Sequence, residues 1–240
     1  MTKQERAVRT RAAVLRSAAE IFDTDGFVSA SLSAISQRAG VSNGALHFHF
    51  ANKGALAEAI EKAAEQRLWR ITGPAPDGSG GCEGCHGHGH GSRSGAGAGA
   101  GAGGEGQGQG QGEGEGEGEV DLIQSLVETS HELFDALNSD VILRAGFTLG
   151  CEPSWSSLVD LHGQWRDWID GTLRHAAKNG ALAEGTEPED VVTVVAASTV
   201  GFEALGRKDP SWLSRQRLTQ FWKFMLPRLV PPGTGPQKGT

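Results

Sequence analysis

Between Thr72 and Glu119 the chain carries 21 of its 36 glycines and almost no large apolar side chain, and no other feature limits its fold so severely. Glycine at that density is costly to order and supplies nothing to bury, so the segment reads as a disordered linker. Its runs GAGAGAGAGG and GQGQGQGEGEGEGE suggest β-stacking only superficially, because they are short and flanked by charge. The chain therefore divides into residues 1–71, a Gly-rich linker at 72–119, a second folding unit at 120–230 and a Pro/Gly-rich flexible tail at 231–240.

Charge follows the same division. The net charge of -7 argues against nucleic acid, yet residues 1–71 hold 10 Lys+Arg against 7 Asp+Glu, while the remainder holds 12 against 22. A mildly basic end on an acidic body suits a protein that offers DNA one face. Nothing approaches the roughly 20 apolar residues of a membrane span, and the first twenty residues lack the apolar core of a signal peptide. The expectation is a cytoplasmic protein with no membrane partner. Cys82, Cys85 and Cys151 are too few for a disulfide scaffold.

Apolar residues recur at helical spacing throughout, which makes the fold class all-α. Val14, Ala18, Ile21 and Phe22 mark a helix over about 5–24, closed by Asp25 and Gly26. Ser31 caps a short helix carrying Leu32, Ile35 and Ala39, and Ser42 caps another that ends at Phe50. A fourth starts near Asn52 with Leu56, Ala59, Ile60 and Ala63 inward. Beyond the linker, helices are expected over 122–137, 141–149, 158–173, 187–205 and 211–229. The last is opened by Asp209-Pro210 and bent or shortened at Pro227.

Two short helices joined by Ala39-Gly40-Val41 have the dimensions of a helix-turn-helix, whose second helix enters the major groove. With Leu46 and Phe50 turned inward, Asn43, Gly44, Ala45, His47 and His49 are left to approach base edges and phosphates. The segment GVSNGALHFHFANKGAL, Gly40 to Leu56, resembles the TetR repressor family, and within it the γ-butyrolactone-receptor branch. That resemblance implies an N-terminal helix-turn-helix DNA-binding domain and a C-terminal helical ligand-binding and dimerisation domain. It places Ser42, Asn43, Gly44 and Ala45 at the groove, with His47, Phe48, His49 and Lys53 beside them and on the phosphate backbone. Ser31, Ser33 and Arg9 are expected to add phosphate contacts. Asn43 stands where the branch usually has lysine and His47 where it has tyrosine. The asparagine is suited either to an adenine edge or to phosphate.

The resemblance further implies a homodimer on a double-stranded, near-palindromic operator, released by a small lipophilic effector such as a γ-butyrolactone or an antibiotic intermediate. The last two helices would form a four-helix bundle across the two-fold axis. Their apolar stripes, Val191, Val194, Val195, Ser198, Phe202 and Leu205, then Leu218, Phe221, Trp222, Met225 and Leu229, serve equally as an internal core. Trp165, in a Gly-x-Trp context shared with the branch, is nominated as an effector contact. Trp155, Gln124, Thr148 and Thr199 are its candidate companions.

Cys82, Cys85, His86, His88 and His90 match a haem-attachment pattern and a soft-metal donor set, but within a glycine linker. A metal-responsive DNA-binding regulator using that cluster is the alternative reading. The favoured one needs no cofactor. Asp160, His162 and nearby serines lack any strand-turn-helix elbow, so no enzyme is expected.

Overall fold

A computed structural model describes residues 2–73 and 122–231. Most of the linker, with Cys82, Cys85, His86, His88 and His90, and the tail from residue 232 lie outside the described residues. Nine α-helices and one 3-10 turn make up the regular structure among the described residues, and no strand occurs there. The fold is all-α. None of these helices is long and apolar enough to cross a membrane.

Helix α1 (Lys3–Asp25) starts at a reciprocal cap: Thr2 Oγ1 accepts from Glu5 N at 3.2 Å, and the Glu5 carboxylate accepts from Thr2 N at 2.8 Å. It stops at Gly26, whose φ of +81° disfavours a side chain. Helices α2 (Leu32–Arg38), α3 (Asn43–His49) and α4 (Lys53–Thr72) are capped by Ser31, Ser42 and Asn52. In each, the side-chain oxygen satisfies an amide that the first turn leaves unpaired. Past the undescribed stretch come α5 (Leu122–Ser139), α6 (Val141–Gly150), α7 (Leu161–Lys178), α8 (Pro188–Gly206) and α9 (Arg215–Leu229).

Three boundaries differ from the sequence reading. Helix α7 begins at Leu161 because Asp160 Oδ1 accepts from Gly163 N at 2.7 Å, leaving 151–160 as a loop that contains Pro153. Asp209-Pro210 opens the 3-10 turn Pro210–Leu213, and Ser214 caps α9. Pro227 is accommodated inside α9, which continues to Leu229.

Two apolar clusters form. Val14, Ala18, Phe22, Ile35, Leu46, Leu56 and Ile60 fill the first, together with Ala145 and Leu149 from α6. The second gathers Leu126, Leu133, Phe134, Trp165, Val195 and Trp222, with Ala64 and Leu68 from the far half of α4. Helices α4 and α6 therefore serve both cores, and they cross at Gly146, where a Cβ would collide with Ala64 Cβ and crowd Leu161. Arg67 to Asp140 at 2.5 Å ties α4 to the cap of α6, and Arg144 to Asp23 at 2.8 Å ties α6 to α1. Arg144 also donates to the Leu137 carbonyl at 2.7 Å.

Candidate nucleic-acid interface and effector site

The presentation of α3 follows from the turn before it. Gly40 takes a φ of +66°, and Val41 N donates to the Ser36 carbonyl at 3.0 Å, reversing the chain within three residues. Ser42 Oγ then accepts from Ala45 N at 3.2 Å. Fully buried Leu46, with Phe50 beyond the helix end, holds α3 against the first apolar cluster, the core of the head formed by α1–α4. Ser42, Asn43, Gly44 and His47 are left exposed, with Ala45 and His49 half-buried. Phe48 is 82% exposed and meets the His49 ring edge-on at 5.1 Å. A large aromatic turned fully to water is costly in an isolated head and suits a surface that is covered when the protein binds. At Gly44 a Cβ would meet only Ser42 Oγ, at 4.0 Å, so nothing inside the chain requires glycine there.

Asn43 is not free to swing. Ser36 Oγ, on buried α2 backbone, donates to Asn43 Oδ1 at 2.5 Å and lies 2.9 Å from the Ser33 carbonyl. This tie orients the amide, so Ser36 fixes what Asn43 shows to a partner. Apolar spacing marks position 36 merely as the neighbour of core Ile35, which is why sequence reasoning missed it.

Ser31 and Ser33 are exposed at the start of α2, where Ser31 Oγ is engaged by Ala34 N at 3.1 Å. Arg9 is exposed on α1, and Arg11 lies over the Phe50 ring at 5.1 Å. Arg38 is committed to Glu20 at 2.7 Å, and that bond, aided by Arg16, holds the Glu20 carboxyl below its ordinary range.

Lys53 requires a correction. Expected on the phosphate backbone, its ammonium donates instead to the carbonyls of Phe27, Val28 and Ala30 at 2.7, 3.0 and 3.0 Å. It also sits 4.5 Å from the centre of the Phe27 ring. All three hydrogens are spent closing the α1–α2 turn, so phosphate would have to compete with three internal acceptors.

In the second unit Trp165 is 1% exposed. Its Nε1 donates to Thr199 Oγ1 at 3.2 Å, and Thr199 Oγ1 donates on to the Val195 carbonyl at 2.9 Å. The ring stacks on Trp168 at 5.3 Å with an 11° tilt. Trp165 and Thr199 are thus brought together across α7 and α8. Thr148 is buried on α6, with no hydrogen-bond partner for its hydroxyl among the described residues, as is true of the Trp168 and Trp222 indole nitrogens. Such unpaired polar groups are rare in a core and available to a ligand.

Two other expected effector contacts lie elsewhere. Gln124 is on the outer face of α5, donating to Glu128 at 2.8 Å, because its position falls opposite the stripe of Ile123, Leu126 and Leu133. Trp155 lies in the 151–160 loop and reaches the head: its Nε1 donates to Glu61 on α4 at 2.8 Å, and its ring meets Phe27 at 5.1 Å. Cys151 is a free, exposed cysteine 3.9 Å from His162 Nε2. Partial shielding of its sulfur from water, and then the Glu203 carboxylate, raise its pKa, so it remains a thiol at neutral pH.

Residues 14–60 match the model for bacterial regulatory proteins of the tetR family. Over 241 aligned residues the chain is 28% identical to the A-factor receptor protein of Streptomyces griseus, an alignment covering 97% of this chain and 68% of that one. A crystal structure described as a gamma-butyrolactone receptor (ArpA-like protein) superposes with a TM-score of 0.68 at 23% identity, over 95% of this chain and 91% of the other. The TetR family protein CprB from Streptomyces coelicolor, solved in complex with its biological operator sequence, superposes with a TM-score of 0.65 at 24% identity, over 95% and 91%.

Proposed function

We propose that this chain, a regulator of the tetR family related to the γ-butyrolactone receptors, represses transcription as a homodimer on a near-palindromic operator and lets go when a small lipophilic effector enters its C-terminal unit. The observation that carries the reading is α3, held from behind by Leu46 and Phe50 while Asn43, Gly44, His47 and Phe48 face outward. Asn43 donates to a base edge or phosphate from its tethered position, and Phe48 packs against sugar or a thymine methyl. Arg9, Ser31, Ser33, Ser42 and His49 flank this face and serve the backbone. Gly44 lets the helix come close.

The dimer is supported by what α8 leaves uncovered. Val191 and Val195 turn into the core, whereas Val194, Val200 and Leu205 remain exposed, as does Phe224 on α9. These uncovered apolar side chains are what a second copy would bury. The recognition helices of such a dimer would address half-sites about 34–36 Å apart.

Trp165, Thr199 and Thr148 are the polar effector contacts of this proposal. A ligand carbonyl accepting from Trp165 Nε1 would compete with Thr199 for that hydrogen, and release requires only that the ligand prefer one of two head spacings. The A-factor receptor's name and the γ-butyrolactone receptor structures support a lipophilic signal, and control of secondary metabolism genes from the cytoplasm is the corresponding role. Relatives that are transcriptional regulators, and a site built for binding, support no enzymatic activity.

The test is titration of purified protein with duplex DNA from upstream of its own coding region, followed by addition of a γ-butyrolactone. Saturable binding by a dimer, reversed by the lactone, is expected. Binding that ignores both sequence and lactone contradicts the proposal.

A further inference from the structure

We infer that the loop of residues 151–160, between α6 and α7, is a strap that transmits the state of the C-terminal unit to the DNA-reading helix, with Glu61 as its anchor. The inference rests on the proposed role of α3 in DNA binding.

Glu61 lies on α4 and is 0% exposed. Its Oε1 accepts from Trp155 Nε1 at 2.8 Å and from Ser157 Oγ at 2.5 Å, and its Oε2 accepts from Leu158 N at 3.3 Å. All three donors belong to the one loop. A buried carboxylate is costly unless its oxygens are satisfied, so loop docking and the burial of Glu61 stand or fall together.

The strap also touches the parts that aim α3. The Trp155 ring lies so close to Gly54 that a Cβ there would stand 3.3 Å from it, and it packs on Phe27 at 5.1 Å. Phe27 in turn carries the Lys53 ammonium, which closes the α1–α2 turn. Lys53 and Gly54 open α4 just after α3 ends at His49. One indole therefore bears on the corner that sets the angle between the reading helix and the long α4.

At its other end the strap becomes α7 directly. Asp160 closes the loop as the cap of that helix, and a Cβ at Gly163 would collide with the capping carboxylate. The next turns of α7 carry two rungs to α8: His162 Nε2 with Glu203 at 3.3 Å, and Trp165 Nε1 with Thr199 at 3.2 Å. A shift of α7 at Trp165 must be taken up by the loop before it or passed to Glu61. Ten residues held by three bonds to one carboxylate pass it on.

The arrangement preorganises the head, and releasing it would spread α3 over more positions that DNA must then order. Glu61→Gln keeps the shape of the anchor but turns an NH2 group toward a backbone N–H, and Trp155→Phe removes the indole donor. Both are to be titrated, as full-length chains, against a labelled duplex of roughly 30 base pairs from upstream of the protein's own gene, long enough for two half-sites one turn apart. Thermal melts confirm folding. Amide exchange of 151–160 is followed in both variants, and in the wild type with and without the duplex. We expect a weakening of operator binding by about 5- to 150-fold in each variant, the span of ordinary site-to-site coupling, with an unchanged salt slope because no phosphate contact is lost. By reciprocity the duplex should slow exchange in the wild-type loop, although the loop forms no part of the α3 surface. Wild-type affinity in folded variants whose loop exchanges faster overturns the strap, and so does wild-type loop exchange that is indifferent to bound duplex. Failure of the wild type to bind any duplex instead removes the DNA-binding reading itself.

Discussion

Lys53 Nζ has three hydrogens, and the head supplies a carbonyl for each from a turn more than twenty residues earlier in the chain. Lys53→Ala should therefore cost on the order of 2 kcal/mol of stability. A thermal melt reads this directly, and the salt slope of DNA binding should stay at the wild-type value. A stable variant whose slope falls by about one would restore the phosphate role. Gly44 leads to the opposite expectation. Since a Cβ there meets only open space inside the chain, Gly44→Ala should stabilise the head by up to about 1 kcal/mol while weakening operator binding. Melting and titration of the same variant separate the two effects. Caps at Ser31 and Ser42 and turns at Gly26 and Gly40 were readable because a residue and its task lie within a few positions of each other. The tasks of Lys53, Ser36 and Trp155 were not, because their partners are brought near only by packing.

Helices α4 and α6 show how the same limit acts on elements. Periodicity gave both helices, but their crossing depends on Gly146, which in sequence looks like a weak point in an apolar run. Gly146→Ala should destabilise the protein by about 1–3 kcal/mol through overpacking against Ala64, visible as a lower denaturation midpoint. Between α1 and α2 the link is electrostatic. The Arg38 hydrogen bond, then that of Arg16, draw the Glu20 pKa below its ordinary 4.5. A carboxyl depressed in the folded state stabilises above the unfolded value, and that contribution disappears as pH falls through the folded one. Glu20→Gln should thus lower the melting temperature at pH 7, with the gap from wild type closing on acidification below the ordinary glutamate range. A gap that is constant with pH contradicts the assignment. The start of α7 was misplaced because Leu158 continues an apolar rhythm, whereas Asp160 and Gly163 together fix the cap.

At the scale of the molecule, the all-α class and the two short helices joined at Gly40 were legible because spacing and caps act locally, while the partners of the candidate effector residues were not. Trp165 and Thr199 are hydrogen-bonded to each other, Gln124 faces outward and Trp155 reaches across to Glu61 on α4, pairings that a helical period does not reveal. The apolar face of α8 has the converse ambiguity, and structure divides its stripe between an internal core and an uncovered patch. Replacing Val194 and Leu205 together by glutamate should yield monomers in sedimentation with the helical content unchanged, and should abolish tight operator binding. A double variant that still sediments as a dimer would place the two-fold contact elsewhere.

Whether α3 reads DNA is decided by equilibrium titration of the intact protein, with duplex from upstream of its own gene against an unrelated duplex of equal length at physiological salt. A dimer should saturate the upstream site at least about 10³-fold more tightly than the unrelated one. Equal affinity for both duplexes, vanishing together as salt is raised, would contradict it.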